Sequence, residues 1–147
     1  MKSQNDFKPD RSVLGSLTIL GRQLSSSAGI LFNREFGVSV VDWAILAQKS
    51  NLSAKQISQL TVFDKALISR RLKYLNQSGF VSTKLDKNKR NRSQSSLTAK
   101  GMRLYLKILP IAQEREQEFL SGFSAGEKNI LKKFLLKLHE NIPALLK

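Results

Sequence analysis

Apolar residues recur along this chain at two different periods, and the change of period marks out its elements. Val13, Leu14, Leu17, Leu20, Leu24, Ala28, Leu31 and Phe32 follow helical spacing. They predict a long amphipathic helix that opens near Asp10 or Ser12 and closes at Phe36-Gly37. Gly15, Gly21 and Gly29 weaken it intrinsically, which points to support from a partner helix. Ser39-Val-Val-Asp42 reads as a capping box, the hydroxyl accepting from the backbone at Asp42 and the carboxylate reaching back to Ser39. A helix follows through Trp43, Ile45 and Leu46 to about Lys49. Ser53-Ala-Lys-Gln56 repeats the device and opens a short helix with Ile57 and Leu60. Asp64 caps a third, with Ile68, Leu72 and Leu75 inward and Gly79 as its stop.

The period then shortens. Phe80-Val-Ser-Thr-Lys84 and Gln94-Ser-Ser-Leu97 predict two short strands, the second a polar edge, around the turn Asp86-Lys-Asn-Lys-Arg-Asn-Arg92. Thr98 opens a long helix through Met102, Tyr105, Ile108 and Leu109, in which Pro110 predicts a kink or a local break. Ser124-Ala-Gly-Glu127 is a further capping box. It leads into Ile130, Leu131, Phe134, Leu135, Leu138 and Ile142. No internal repeat, low-complexity tract or linker divides the chain, so its 147 residues read as one protomer.

Charge changes the picture. Twenty-five Lys+Arg against 11 Asp+Glu leave a formal +14, which points to a polyanionic partner. The excess is local: from Lys65 to Arg92 nine cations face one carboxylate, so +8 of the +14 falls in 28 residues. The absence of cysteine removes disulfides, thiolate metal sites and thiol redox sensing. A single histidine, His139, cannot build a histidine-rich metal site. The polar start MKSQNDFKPDRS has no signal-peptide core, and no apolar run reaches the ~18 residues of a membrane span. A cytoplasmic, nucleoid-associated protein is the expectation.

Three short helices followed by a two-stranded hairpin make a winged helix-turn-helix. The expected fold class is mainly α with a small β-hairpin, flanked by N- and C-terminal helices. With residues 68, 72 and 75 inward, the third short helix turns Lys65, Ala66, Ser69, Arg70 and Lys73 outward. Arg70 has the fork geometry for guanine, while Lys65 and Ser69 suit base or phosphate contacts in a major groove. Any one of these residues is equally at home on a solvated face; it is the face as a whole, with three cations and no carboxylate, that favours DNA.

In order and spacing, Ser39-Val-Val-Asp-Trp-Ala-Ile-Leu46, Ser53-Ala-Lys-Gln-Ile-Ser-Gln-Leu60, Asp64-Lys-Ala-Leu-Ile-Ser-Arg-Arg-Leu72, Leu75-Asn-Gln-Ser-Gly-Phe-Val81 and Leu97-Thr-Ala-Lys-Gly101 resemble the MarR family of bacterial transcriptional regulators over nearly the whole chain. The resemblance implies a homodimer on pseudo-palindromic double-stranded DNA, usually a repressor released by a small ligand. It divides the protomer into dimerisation helices at about 10–36 and 99–145 and a DNA-binding unit at about 39–98, with the wing at 80–98. Lys87, Lys89, Arg90 and Arg92 then become wing contacts. The family's wing pattern Asp-x-Arg falls here on Lys89-Arg90-Asn91, so its bracing carboxylate is missing, and either Arg90 or Arg92 takes the inserted role. The apolar stripes of the terminal helices become a dimer interface that includes Val13, Leu14, Leu17, Leu131, Phe134, Leu135, Leu138 and Ile142.

Other classes find less support. Glu114, Glu116 and Glu118 scatter around a helix instead of converging. No phosphate-binding glycine loop, zinc motif or nucleophile–histidine arrangement is present, so no catalytic residue, metal or cofactor is expected. Non-specific nucleic-acid or architectural binding is the principal alternative. A membrane surface is a weaker one, because the cations cluster on a hairpin and a short helix. Trp43 and Phe32 could line a pocket of the kind in which the family often holds aromatic acids, with Arg22 or Arg34 as anion partners. Core packing is the preferred reading of both aromatics, and no effector is named.

Overall fold

The computed structural model describes residues 8–89 and 92–147, with side chains at all of them except Asp10, Lys89 and Arg92. The elements in order are α1 (Val13–Phe36), α2 (Val40–Gln48), α3 (Ala54–Leu60), α4 (Lys65–Gln77), β1 (Val81–Asp86), β2 (Arg92–Leu97), α5 (Ala99–Phe119) and α6 (Ala125–Asn141). Short 3-10 turns occupy Pro9–Arg11, Lys87–Lys89 and Ile142–Leu146. The fold is mainly helical with one antiparallel hairpin, as the periodicity predicts.

Local chemistry sets most of the boundaries. Ser12, Ser39, Ser53, Asp64 and Ser124 each cap a helix by accepting from a backbone N–H three residues on. The boxes at Ser39, Ser53 and Ser124 are reciprocal. Gly37 ends α1 at φ 67°, a left-handed conformation that costs glycine little. After α4, Phe80 N–H donates to the Leu75 carbonyl and Gly79 N–H to that of Asn76, a Schellman closure with Gly79 at φ 77°.

The chain divides into two compact units, the first ending at Ile108 and the second running Leu109–Lys147. In the first, Ile45, Ile57, Ile68, Leu72, Leu75 and Val81 form the buried core of α2, α3, α4 and β1, with Phe63, Phe80 and Leu97 packed against it. The hairpin pairs Val81 with Leu97 through to Asp86 with Arg92. Both strands run nearer the tip than the apolar pattern suggests, to Asp86 and from Arg92. Cross-strand backbone pairing carries both that far, and outside the hairpin Leu52 and Ser95 exchange backbone hydrogen bonds at 3.0 and 2.8 Å. A polar strand thus gains pairing on both edges, and Thr83 and Ser95 join their hydroxyls across it at 3.0 Å.

Pro110 does not break α5, which continues to Phe119. Both Pro110 and Leu106, whose carbonyl loses its intrahelical donor, lie on the exposed side, where water can replace the lost hydrogen bond. In the second unit, Ser124 N–H donates to Glu127 Oε2 at 2.7 Å and Glu127 N–H donates back to Ser124 Oγ at 3.2 Å. The Ser124 backbone N–H first, and the Ser124 hydroxyl after it, hold the Glu127 carboxyl below its usual range. The long helix α6 ends at Asn141, so Ile142 falls in the 3-10 turn before Pro143. No residue of α6 is buried.

The Leu97-Thr-Ala-Lys-Gly101 stretch has a purely structural use. Thr98 Oγ1 donates to the Gly79 carbonyl at 2.6 Å, and Lys100 Nζ donates to the Ser78 carbonyl at 2.8 Å. Thr98 also caps α5 by accepting from Gly101 N–H at 3.0 Å. A Cβ on Gly101 would collide with the Phe80 carbonyl oxygen, so only glycine lets α5 start this close to the wing. Gly101→Ala should therefore destabilise the protein by about 1–3 kcal/mol. The expected sign is a lower urea midpoint at unchanged slope.

Candidate nucleic-acid interface

The recognition face grows out of the burial of α4. Ile68, Leu72 and Leu75 are inside, and Lys65, Ala66, Ser69, Arg70 and Lys73 are all exposed, as the helical period predicts. Asp64 Oδ1 accepts from Leu67 N–H at 2.9 Å and fixes where the helix starts. Between α3, α4 and the hairpin lies a groove of about 890 Å³. Lys65, Ser69 and Lys73 line one wall of it, Lys55 stands at the start of α3, and Thr83 and Ser95 line the wing side. Arg70 lies outside that lining, on the other edge of the exposed face. The arrangement combines ammonium groups and hydroxyls in an open concavity, which suits phosphate oxygens.

The wing tip begins with Asp86, whose Oδ1 accepts from Asn88 N–H at 3.0 Å and shapes the turn. Lys87 is exposed, and Lys89 closes the 3-10 turn. Arg92 opens β2 in register with Asp86. Arg90 lies outside the described residues.

One pair of residues here has no counterpart in the sequence reading. Arg71, beside Arg70, donates from Nε to Asp42 Oδ1 at 2.8 Å and from Nη2 to Asp42 Oδ2 at 2.6 Å. Asp42 is fully buried, while the Arg71 side chain is 30% exposed. The hydrogen bonds from Arg71 to Asp42 raise the guanidinium further above its usual range against the opposing effect of burial, so it stays charged. Its plane lies over Tyr74, 4.3 Å from the ring centroid. The local signal was half present: Asp42 is legible as a cap, but a partner 29 positions away leaves no trace in spacing.

The two candidate ligand aromatics are packed together. Phe32 is buried, its ring 5.8 Å from that of Trp43, and Trp43 stacks on Tyr105 at 5.6 Å and 8°. Lys49 Nζ stands 4.9 Å from the Tyr105 ring. Arg34 pairs with Glu35 in solvent, and Arg22 is exposed on α1. Among the described residues no group of three or more His, Asp or Glu side chains is placed to hold a metal ion, and no helix is long and apolar enough to cross a membrane.

These features define a winged helix-turn-helix protein. Comparison with solved structures narrows the class to the MarR/SlyA fold. A MarR/EmrR family transcriptional regulator from Acinetobacter sp. ADP1 superposes with a TM-score of 0.85 at 26% identity, covering 94% of this chain and 99% of that one. A putative MarR family regulator from Listeria monocytogenes, solved with a 26mer DNA, matches at 0.80 and 24% identity over 90% and 89%. BpsR of Bordetella bronchiseptica, studied for regulation of its DNA binding by 6-hydroxynicotinic acid, matches at 0.70 and 17% identity over 84% and 98%. No family model matches the chain, and neither does any curated protein at the level of sequence. The structural neighbours are transcriptional regulators and not enzymes.

Stacked between Trp43 and the Lys49 ammonium, Tyr105 behaves as core. Tyr105→Ala should cost about 3–5 kcal/mol, the scale of deleting a large buried aromatic. Trp43, the single tryptophan, reports the change directly through a red-shifted emission in the still-folded variant.

Proposed function

We propose that the protein is a homodimeric, sequence-specific regulator of transcription, a repressor that binds a pseudo-palindromic operator in double-stranded DNA. The observation that carries the proposal is the exposed face of α4, where Lys65, Arg70 and Lys73 stand out beside Ala66 and Ser69 next to a cationic groove and a basic wing. In this reading α4 enters the major groove, Arg70 offers its fork to guanine, and Ala66 meets a thymine methyl. Lys65, Ser69 and Lys73 hold phosphates and set the register. The wing carries Lys87, Lys89, Arg90 and Arg92 over the adjoining backbone, one arginine entering the minor groove.

Dimerisation accounts for apolar side chains that the single chain leaves in solvent. Val13 and Leu14 on α1 are 68% and 67% exposed, and Phe134 on α6 is 56% exposed. Leu17, Leu135, Leu138 and Ile142 are exposed as well, and Leu131 is half-buried. A two-fold pairing through these residues sets two α4 helices about one DNA turn apart, roughly 34 Å. Release by a small ligand extends the proposal; in the Bordetella neighbour, DNA binding is regulated by 6-hydroxynicotinic acid. The +14 charge favours non-specific binding as the competing reading.

Genome-wide footprinting of the protein on its own genome separates the two. Specific regulation predicts protected sites that share a two-fold symmetric sequence with half-sites one turn apart; protection without a common sequence contradicts it. On such a site Arg70→Ala should cost about 1–3 kcal/mol per half-site and relax the preference at one base pair in each half-site. Of Arg90→Ala and Arg92→Ala, the one that removes a phosphate contact should lower affinity across all sequences and reduce the salt slope by about one per protomer. The one that empties the minor groove should also weaken the preference for narrow-groove sequence.

A further inference from the structure

The bidentate pair Asp42–Arg71 has more geometry than stability requires. Replacing a buried ion pair with apolar side chains is commonly neutral or stabilising, so its presence is weak evidence for a stabilising role. Its directionality is another matter. Ile68, Leu72 and Leu75 hold α4 on the core through non-directional contacts that tolerate small rotations. Two parallel N–H···O bonds of 2.8 and 2.6 Å between planar groups do not tolerate them. The carboxylate is itself immobilised, because Asp42 Oδ2 also accepts from Ser39 N–H and from Ser39 Oγ, each at 2.8 Å. Tyr74 flanks the guanidinium from one turn further along α4. Arg70 is the next residue, so any rotation of α4 about its axis that this clamp prevents would sweep Arg70 away from a base edge.

We propose that Asp42 and Arg71 are a positioning pair, fixing the rotation of α4 about its axis so that Arg70 and its neighbours meet base edges in one register. The inference rests on the proposed DNA-reading function. Arg71 acts through its neighbours and does not itself touch DNA. Because Ser39 follows Gly37, where α1 ends, the same carboxylate also ties the α1–α2 corner to the reading helix.

A four-member cycle tests this: wild type, Asp42→Asn, Arg71→Met, and the double variant. Each is measured for urea midpoint, for the affinity ratio between a footprinted site and random duplex, and for the salt slope of binding. Arg71→Met should lose the most stability, since it leaves a buried carboxylate unpaired, and the double variant should regain it. Both single variants and the double should lose about tenfold or more in the affinity ratio, the scale of a misplaced base contact, with the salt slope unchanged. A double variant that recovers the wild-type ratio along with stability overturns the positioning role. So does an Asp42→Asn protein that binds DNA more tightly while Arg71→Met loses about one unit of salt slope per protomer, since Arg71 would then be a phosphate ligand. A wild-type ratio near one overturns the proposed function itself, and the inference with it.

Discussion

The structure of the first unit turns on a single buried carboxylate. Asp42 closes the N-terminus of α2, accepts both groups of Ser39, and receives the Arg71 fork from α4, with no exposure to solvent. An aspartate stripped of water is costly unless both its oxygens are hydrogen-bonded, and here both are. Four hydrogen bonds to one side chain also couple three segments: the corner after α1, the first turn of α2 and the middle of α4. Everything the exposed face of α4 presents is therefore referred to a fixed point in the interior.

The wing is referred to the same unit by different means. Its β2 strand is polar and would be a poor strand alone, yet Leu52 pairs with Ser95 on one side while β1 pairs on the other. At its root, Thr98 and Lys100 satisfy the last carbonyls beyond α4, and Lys100 also covers the Phe80 ring at 4.5 Å. A cation that the charge count would assign to DNA is thus engaged in structure. Lys65 and Lys73 on α4 then line a groove closed on the hairpin side by Thr83, Ser93 and Ser95.

How much of this could be read from sequence depends on the range of the interactions. The helix starts at Ser39, Ser53, Asp64 and Ser124 were legible because each cap is made within three residues. The outward set on α4 was legible because burial of Ile68, Leu72 and Leu75 fixes it by period alone. The Asp42–Arg71 pair, the Leu52–Ser95 bridge and the stacking of Trp43 on Tyr105 were not, since their partners lie 29, 43 and 62 positions apart and follow no pattern. The local break that Pro110 allows is absent from α5, where Pro110 and Leu106 lie on the exposed side and water can take up the freed carbonyl. The wing showed a missing aspartate at Lys89, and the register now sets Asp86 opposite Arg92.

The central claim is that an ordered cationic face reads sequence and does more than neutralise phosphate. The most direct test is a competition titration at physiological salt of a footprinted duplex against random duplex and duplex RNA of equal length. Specific reading predicts that the footprinted site binds more tightly by a factor of about 10³ or more. Equal affinity for all three would mean that the +14 charge accounts for binding by itself, and would contradict the account.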